Sequence, residues 1–293
     1  MTLRKCYLVG IIAVAMTIIA PGAEPLPIML EGAGGGGLNP WALIANGGKS
    51  LVTPAAFGTY GTTRNYNIYS VGANFSIKNY AEIYFDHQYL SLPNSLSNVV
   101  GTNSSEQSIV GGKLQVYPGN GVIPAVAVGL NAHFVNDTIP DELGASSQGV
   151  DFYAAATGIY PFMGSKLLVD GTLWATKANY MGLLGFGGQG HNGYTIQEGI
   201  SLGYFLAKDV MLGAEWRSFP TDSLGAAQAS MQASYPGADL KQSDWYDGFI
   251  AYMPNHHLSV VAAFMSLGNM VNLPKVSNNA NQNGFYLNVN ASF

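Results

Sequence analysis

From Phe285 to the last residue, apolar side chains stand at every second position: Phe285, Leu287, Val289, Ala291 and Phe293, with Tyr286, Asn288, Asn290 and Ser292 between them. A period of two belongs to an extended strand whose faces meet unlike surroundings. Leu167, Val169, Gly171 and Leu173 repeat the pattern against Asp170, Thr172 and Trp174, and Val210, Leu212, Ala214 and Trp216 repeat it against Met211, Gly213, Glu215 and Arg217. Comparable strands are predicted at 51–60, 66–77, 81–90, 107–117, 122–134, 150–160, 195–205, 244–253 and 258–267. The total is about twelve, each near the length that a tilted membrane-crossing strand needs.

The connections alternate in length. Those at 78–80, 118–121, 161–166, 206–209 and 254–257 are short, whereas 91–106, 135–149, 178–194, 220–243 and 268–283 are long. A soluble sandwich has no reason to gather its long loops at one end, but an outer-membrane barrel has short periplasmic turns and long outer loops. Tyr80, Tyr117, Tyr160, Phe162, Tyr204, Tyr252 and Phe293 lie near the short-turn ends, where an interfacial aromatic girdle belongs. The expected fold is therefore all-β: a transmembrane antiparallel barrel of about twelve strands over 51–293, in contact with outer-membrane lipid and lipopolysaccharide. The alternating Phe285, Leu287, Val289, Ala291 and Phe293 resemble the signal read by the barrel-assembly machinery.

Composition removes the other classes. Thirty-seven glycines could suggest disorder, but only 10% of residues are charged and the mean hydropathy is +0.15. A helical membrane protein needs several apolar runs of about 20 residues, and only the start of this chain approaches one. The 12 basic and 17 acidic residues form no basic cluster, so nucleic acid is not an expected partner.

Arg4 and Lys5, the apolar run Cys6–Ala20 and the small residues of Ala20-Pro21-Gly22-Ala23 read as an export signal over 1–23. Its removal takes away Cys6, the only cysteine, and with it any thiol chemistry. Residues 24–50 carry a Gly-rich stretch, Gly34–Gly37, open to three readings: a linker, an extra strand or a plug inside the lumen.

The strings EGAGGGGLNPWALI at 31–44, LLVDGTLWATKANYMGLLGFGG at 167–188 and DWYDGFIAYMPNHHLSVVAAFMSLGN at 244–269 resemble an uncharacterised Gram-negative outer-membrane family catalogued as a domain of unknown function. The resemblance implies location and barrel shape, and carries no activity or catalytic residues.

On these strands Glu82, Asp86, Lys113, His133, Asp170, Glu215, Arg217 and Asp247 face inward. In a water-filled lumen their acidic excess would favour cations, as in a channel or uptake protein for a small solute. In a narrow barrel, Lys113 and Arg217 could instead pair with the carboxylates and fill the interior, giving a non-conducting structural or surface-interaction barrel.

A lipid hydrolase at the outer rim is the third reading. His191 lies in a long outer loop and His87 sits beside Asp86, but neither has a catalytic partner at a telling spacing, so no enzyme is expected. No cofactor or metal is expected either, because His256 and His257 are adjacent in a turn and point apart. Gly185–Gly190 reads as a flexible loop tip, lacking the helix and lysine of a phosphate cradle. Met181, Phe186, Met231, Tyr235, Met270 and Phe285 form a possible apolar mouth, or simply pack the loops together.

Overall fold

A computed structural model describes residues 26–47, 50–219 and 223–293; the segment expected to be an export signal, including Cys6, lies outside them. Twelve antiparallel strands follow one another around a closed barrel: β1 Thr53–Thr63, β2 Asn67–Ile77, β3 Ala81–Ser91, β4 Ser104–Tyr117, β5 Ala125–Val135, β6 Gln148–Phe162, β7 Ser165–Thr176, β8 Thr195–Ala207, β9 Val210–Arg217, β10 Trp245–Asn255, β11 Leu258–Ser266 and β12 Asn283–Ser292. β1 and β12 close the ring, with Ala55 opposite Ser292 and Thr63 opposite Gly284. Closure leaves no unpaired edge, which is what a strand structure needs in hydrocarbon.

The period of two has the cause inferred from the sequence. Along β12, Phe285 and Leu287 are exposed while Tyr286, Asn288, Asn290 and Ser292 are buried inside. Val110, Leu130, Leu173, Ile200, Leu212 and Ile250 continue the exposed apolar band around the wall. Tyr80, Phe162 and Tyr252 are exposed at the short-turn ends, and Tyr60, Tyr69 and Tyr89 make a contiguous row near the opposite rim, with ring centroids 5.0 and 6.1 Å apart. All the long loops lie at that opposite rim. One connection there, 64–66 between β1 and β2, is short.

The loops do not stand free. Leu96 and Val100 of the short helix Asn94–Val100, Ile139, Leu143, Tyr180, Met181, Leu184, Leu224, Leu240 and Met270 are all buried in one cluster. The stretch Gly185–Gly190 is correspondingly not a free tip. Phe186 exchanges backbone hydrogen bonds with Ser146, and a side chain on Gly149 would stand 2.1 Å from its ring. Gly182, Gly185 and Gly187, at φ of 93°, 81° and 62°, supply the left-handed backbone that folds this loop inward. Met181, Phe186 and Met270 are buried in the mouth, whereas Phe285 is 64% exposed on the outer face and belongs to the lipid-facing band instead.

Candidate functional site

Residues 26–47 lie within the barrel, and nearly every one of them from Pro27 to Asn46 is buried. This inner segment has no helix or strand, and its own backbone bonds, such as Met29 N–H to the Ala33 carbonyl and Trp41 N–H to the Gly34 carbonyl, satisfy only part of its polar groups. The wall provides further partners. Glu82 accepts hydrogen bonds from the Gly34 N–H (2.9 Å) and the Ala45 N–H (2.6 Å), and Glu215 accepts from the N–H groups of Gly37 and Leu38. Lys113 Nζ donates to the carbonyls of Gly34 (2.8 Å), Trp41 (3.1 Å) and Leu43 (2.6 Å), and stands 3.2 Å from Glu82 Oε1. Asp170 accepts from Thr157 and Thr172, while Thr157 Oγ1 accepts from the Ala42 N–H. Asp86 accepts from Ser70 (2.7 Å) and Gln88 (2.8 Å), and Gln88 also donates to the Leu30 carbonyl. Asp247 accepts from the Tyr286 hydroxyl at 2.7 Å.

The glycine run explains how backbone and carboxylate come so close. A β-carbon on Gly36 would stand 2.2 Å from Glu215 Oε1, and one on Gly37 would stand 1.9 Å from Tyr286 Oη. Glycine serves here for close approach, not for looseness.

All eight inward-facing residues read from the strand pattern are buried inside the barrel. They are not a water-lined ring: Lys113 and the inner segment occupy Glu82, and the same segment occupies Glu215. Sequence reasoning missed two partners. Asp151 follows the same alternation, between the outward Val150 and Phe152, and could have been found that way. Glu31 lies outside any strand and carries no such signal. Together with His133 and Arg217 these two form a buried group: Arg217 Nη1 donates to Glu31 Oε2 at 2.9 Å, and His133 Nε2 lies 3.2 Å from Asp151 Oδ2 and 4.0 Å from Glu31 Oε1. Trp174 covers the guanidinium at 4.1 Å. Among the described residues the interior holds seven buried carboxylates (Glu31, Glu82, Asp86, Asp151, Asp170, Glu215 and Asp247) against Lys113, Arg217 and His133.

Beside the inner segment, toward the loops, the interior turns apolar. A cavity of about 50 Å³ is lined by Leu30, Leu38, Tyr66, Ile68, Trp245, Val261, Met265 and Tyr286 among others. A second, of about 20 Å³, shares Tyr66, Leu90 and Met270 with it and reaches up among the loop residues Leu96, Ile139, Leu184 and Val271. Tyr66 Oη and Trp245 Nε1 are buried there without a hydrogen-bond partner. Burial, helped by the neighbouring Tyr180, pushes the Tyr66 phenol far above the usual tyrosine range, so it stays a donor.

The remaining histidines occupy other places. His87 faces outward, opposite in sense to Asp86, and its Nδ1 lies 3.1 Å from Ser108 Oγ on the same outer face. His191 is exposed. His257 Nδ1 lies 3.1 Å from the Ser292 carbonyl and His256 O accepts from Ser292 Oγ, so this pair fastens the end of β12.

A closed barrel with an apolar outer band, aromatic rows near both rims and a polar interior defines the class: an outer-membrane β-barrel protein of the Gram-negative type. The chain belongs to the family described as protein of unknown function DUF3034, whose sequence profile matches residues 27–290. Among solved structures it is similar to the KdgM porin, at 9% identity over 82% of this chain and 99% of that one, with a TM-score of 0.50. It is also similar to the outer membrane protein Omp33 of Acinetobacter baumannii (10% identity, 84% and 100% coverage, TM-score 0.45) and to outer membrane phospholipase A from Escherichia coli (13%, 82% and 92%, 0.42). At these identities the likeness is one of fold. No curated protein matches the sequence.

Proposed function

We propose that the protein is an uptake barrel for a small, largely apolar solute bearing a hydrogen-bond acceptor, shut at rest by residues 26–47, and that it is not an enzyme. The observation carrying this reading is the pair of linked apolar cavities between the loops and the inner segment, with the unpartnered donors of Tyr66 and Trp245 in their walls. An apolar cavity stays dry and accepts small apolar molecules, and a few placed donors orient them. At about 50 Å³ the larger cavity is well under the size of an ordinary ligand pocket, so the apolar side chains and loops around it yield as solute enters. Selection among ions by the carboxylates does not enter this reading, because those groups are buried, bonded to the inner segment or to wall side chains, instead of lining water.

The test is a fluorescence titration of the purified barrel with a small ketone and the matched alkane. Saturable binding of the ketone, weakened by Tyr66→Phe and Trp245→Phe more than alkane binding is, supports the reading. A linear, non-saturating response to both overturns it.

A second reading, lipid hydrolysis at the outer rim, is favoured by the His87–Ser108 contact alone. No carboxylate orients that imidazole, since Asp86 is on the opposite face, so dispersed phospholipid is expected to remain intact. Turnover lost in Ser108→Ala would establish the hydrolase instead.

A further inference from the structure

We infer that Glu31, His133 and Asp151 form a binding site for one divalent transition-metal cation of the zinc type, joining the inner segment to strands β5 and β6. The three side chains are fully buried, and one ligand atom from each lies within 4.8 Å of the others. Those atoms are Glu31 Oε1, His133 Nε2 and Asp151 Oδ2, and none has a hydrogen-bond partner. Ligands about 2.1 Å from a common tetrahedral centre stand roughly 3.4 Å apart, so the 3.2 Å pair must open slightly and the 4.0 Å pair must close by about half an ångström, with the third pair starting within 4.8 Å.

The atoms behind them are all engaged, in the way that outer partners orient metal ligands. Arg217 Nη1 holds Glu31 Oε2 at 2.9 Å, and Thr176 Oγ1 donates to Asp151 Oδ1. Gln107 uses its Nε2 on Gln88 and on the Met181 carbonyl, which leaves its Oε1 to accept from His133 Nδ1 at 3.2 Å. Nδ1 thereby donates to Gln107, and Nε2 is directed at the two carboxylates, where the neutral imidazole would offer its lone pair to a metal.

The competing arrangement is an imidazolium bridging Asp151 and Glu31. It is the poorer fit, because the 3.2 Å contact lacks the alignment of a hydrogen bond and leaves both carboxylate oxygens unpartnered. Charge points the same way. Seven buried carboxylates face Lys113 and Arg217 inside the barrel, and a bound divalent cation would offset part of that excess at Glu31 and Asp151. One nitrogen with two carboxylate oxygens suits zinc and its neighbours better than calcium or magnesium, which prefer oxygen alone.

The experiment refolds the full chain into detergent micelles with Zn2+ or with chelator, isolates the folded fraction, recognised by faster migration when unheated, and measures its metal after dialysis against metal-free buffer. The expected result is one zinc per barrel. Affinity should fall at least about tenfold in Glu31→Gln and in Asp151→Asn, and should be unchanged in the combined His191→Asn, His256→Asn and His257→Asn variant, which removes only histidines away from the site. X-ray absorption on the loaded parent adds a readout that needs no variant: one nitrogen and two protein oxygens near 2.0–2.2 Å. A folded parent that retains no zinc overturns the inference. So does zinc that is lost when those three histidines are replaced.

Discussion

Two regions of the same interior hold the chain by different physics. Around Glu82, Lys113, Thr157 and Glu215, the contacts to the inner segment are directional: each carboxylate, ammonium or hydroxyl meets particular backbone groups at hydrogen-bonding distance. Around Ile68, Val261 and Met265 the contacts are apolar, and the packing leaves a cavity of about 50 Å³. The first region tolerates one geometry, since a displaced partner strands a buried charge or an unpaired N–H. The second can repack at modest cost, since apolar contact has no direction. A barrel closed by the rigid region and receptive at the yielding one is the physical content of the uptake proposal.

The contrast breaks most visibly if the rigid region is removed. Deleting residues 26–47 should turn a barrel without steady single-channel steps in a planar bilayer into one that conducts, with folding checked by gel mobility. A parent that already conducts steadily would show that the inner segment does not close the lumen. Next in size, Lys113→Met should destabilise by about 3–5 kcal/mol, because Glu82 is left buried without its cation. Adding Glu82→Gln should recover part of that loss, read as thermal midpoints of the two variants. In the yielding region, Met265→Ala should cost only about 2 kcal/mol, at the low end for a buried methionine beside existing space. It should also admit a bulkier ketone in the fluorescence titration; equal losses at Lys113 and Met265 would erase the distinction. The smallest effect is expected outside both regions. Deleting Phe293 removes its N–H bond of 2.9 Å to the Pro54 carbonyl, about 1 kcal/mol, but should lower the inserted fraction while export across the inner membrane continues.

The wall was legible because period-two alternation is a local property. Val169, Asp170 and Gly171 face out, in and out whatever lies across the barrel, since a one-residue slip would turn every charge toward lipid. The same pattern put Glu82, Lys113, Glu215 and Arg217 inside. Residues 24–50 were not legible in this way. Gly34–Gly37 has no period, and a glycine run reads equally as slack linker or as backbone needed for close approach. Only the position of Glu215 Oε1, 2.2 Å from where a Gly36 side chain would begin, decides for the second over the described part.

The sequence by itself determined the strands, their inward and outward faces and the barrel they close, because each follows from the chemistry of neighbours along the chain. Which charges meet was decided only by the tertiary structure. Glu31 reaches Arg217 across 186 positions, and Lys113 reaches the Trp41 carbonyl across 72. In a low-dielectric interior the partner of a charge is set by distance in space, and that distance exists only once the ring has closed around the inner segment.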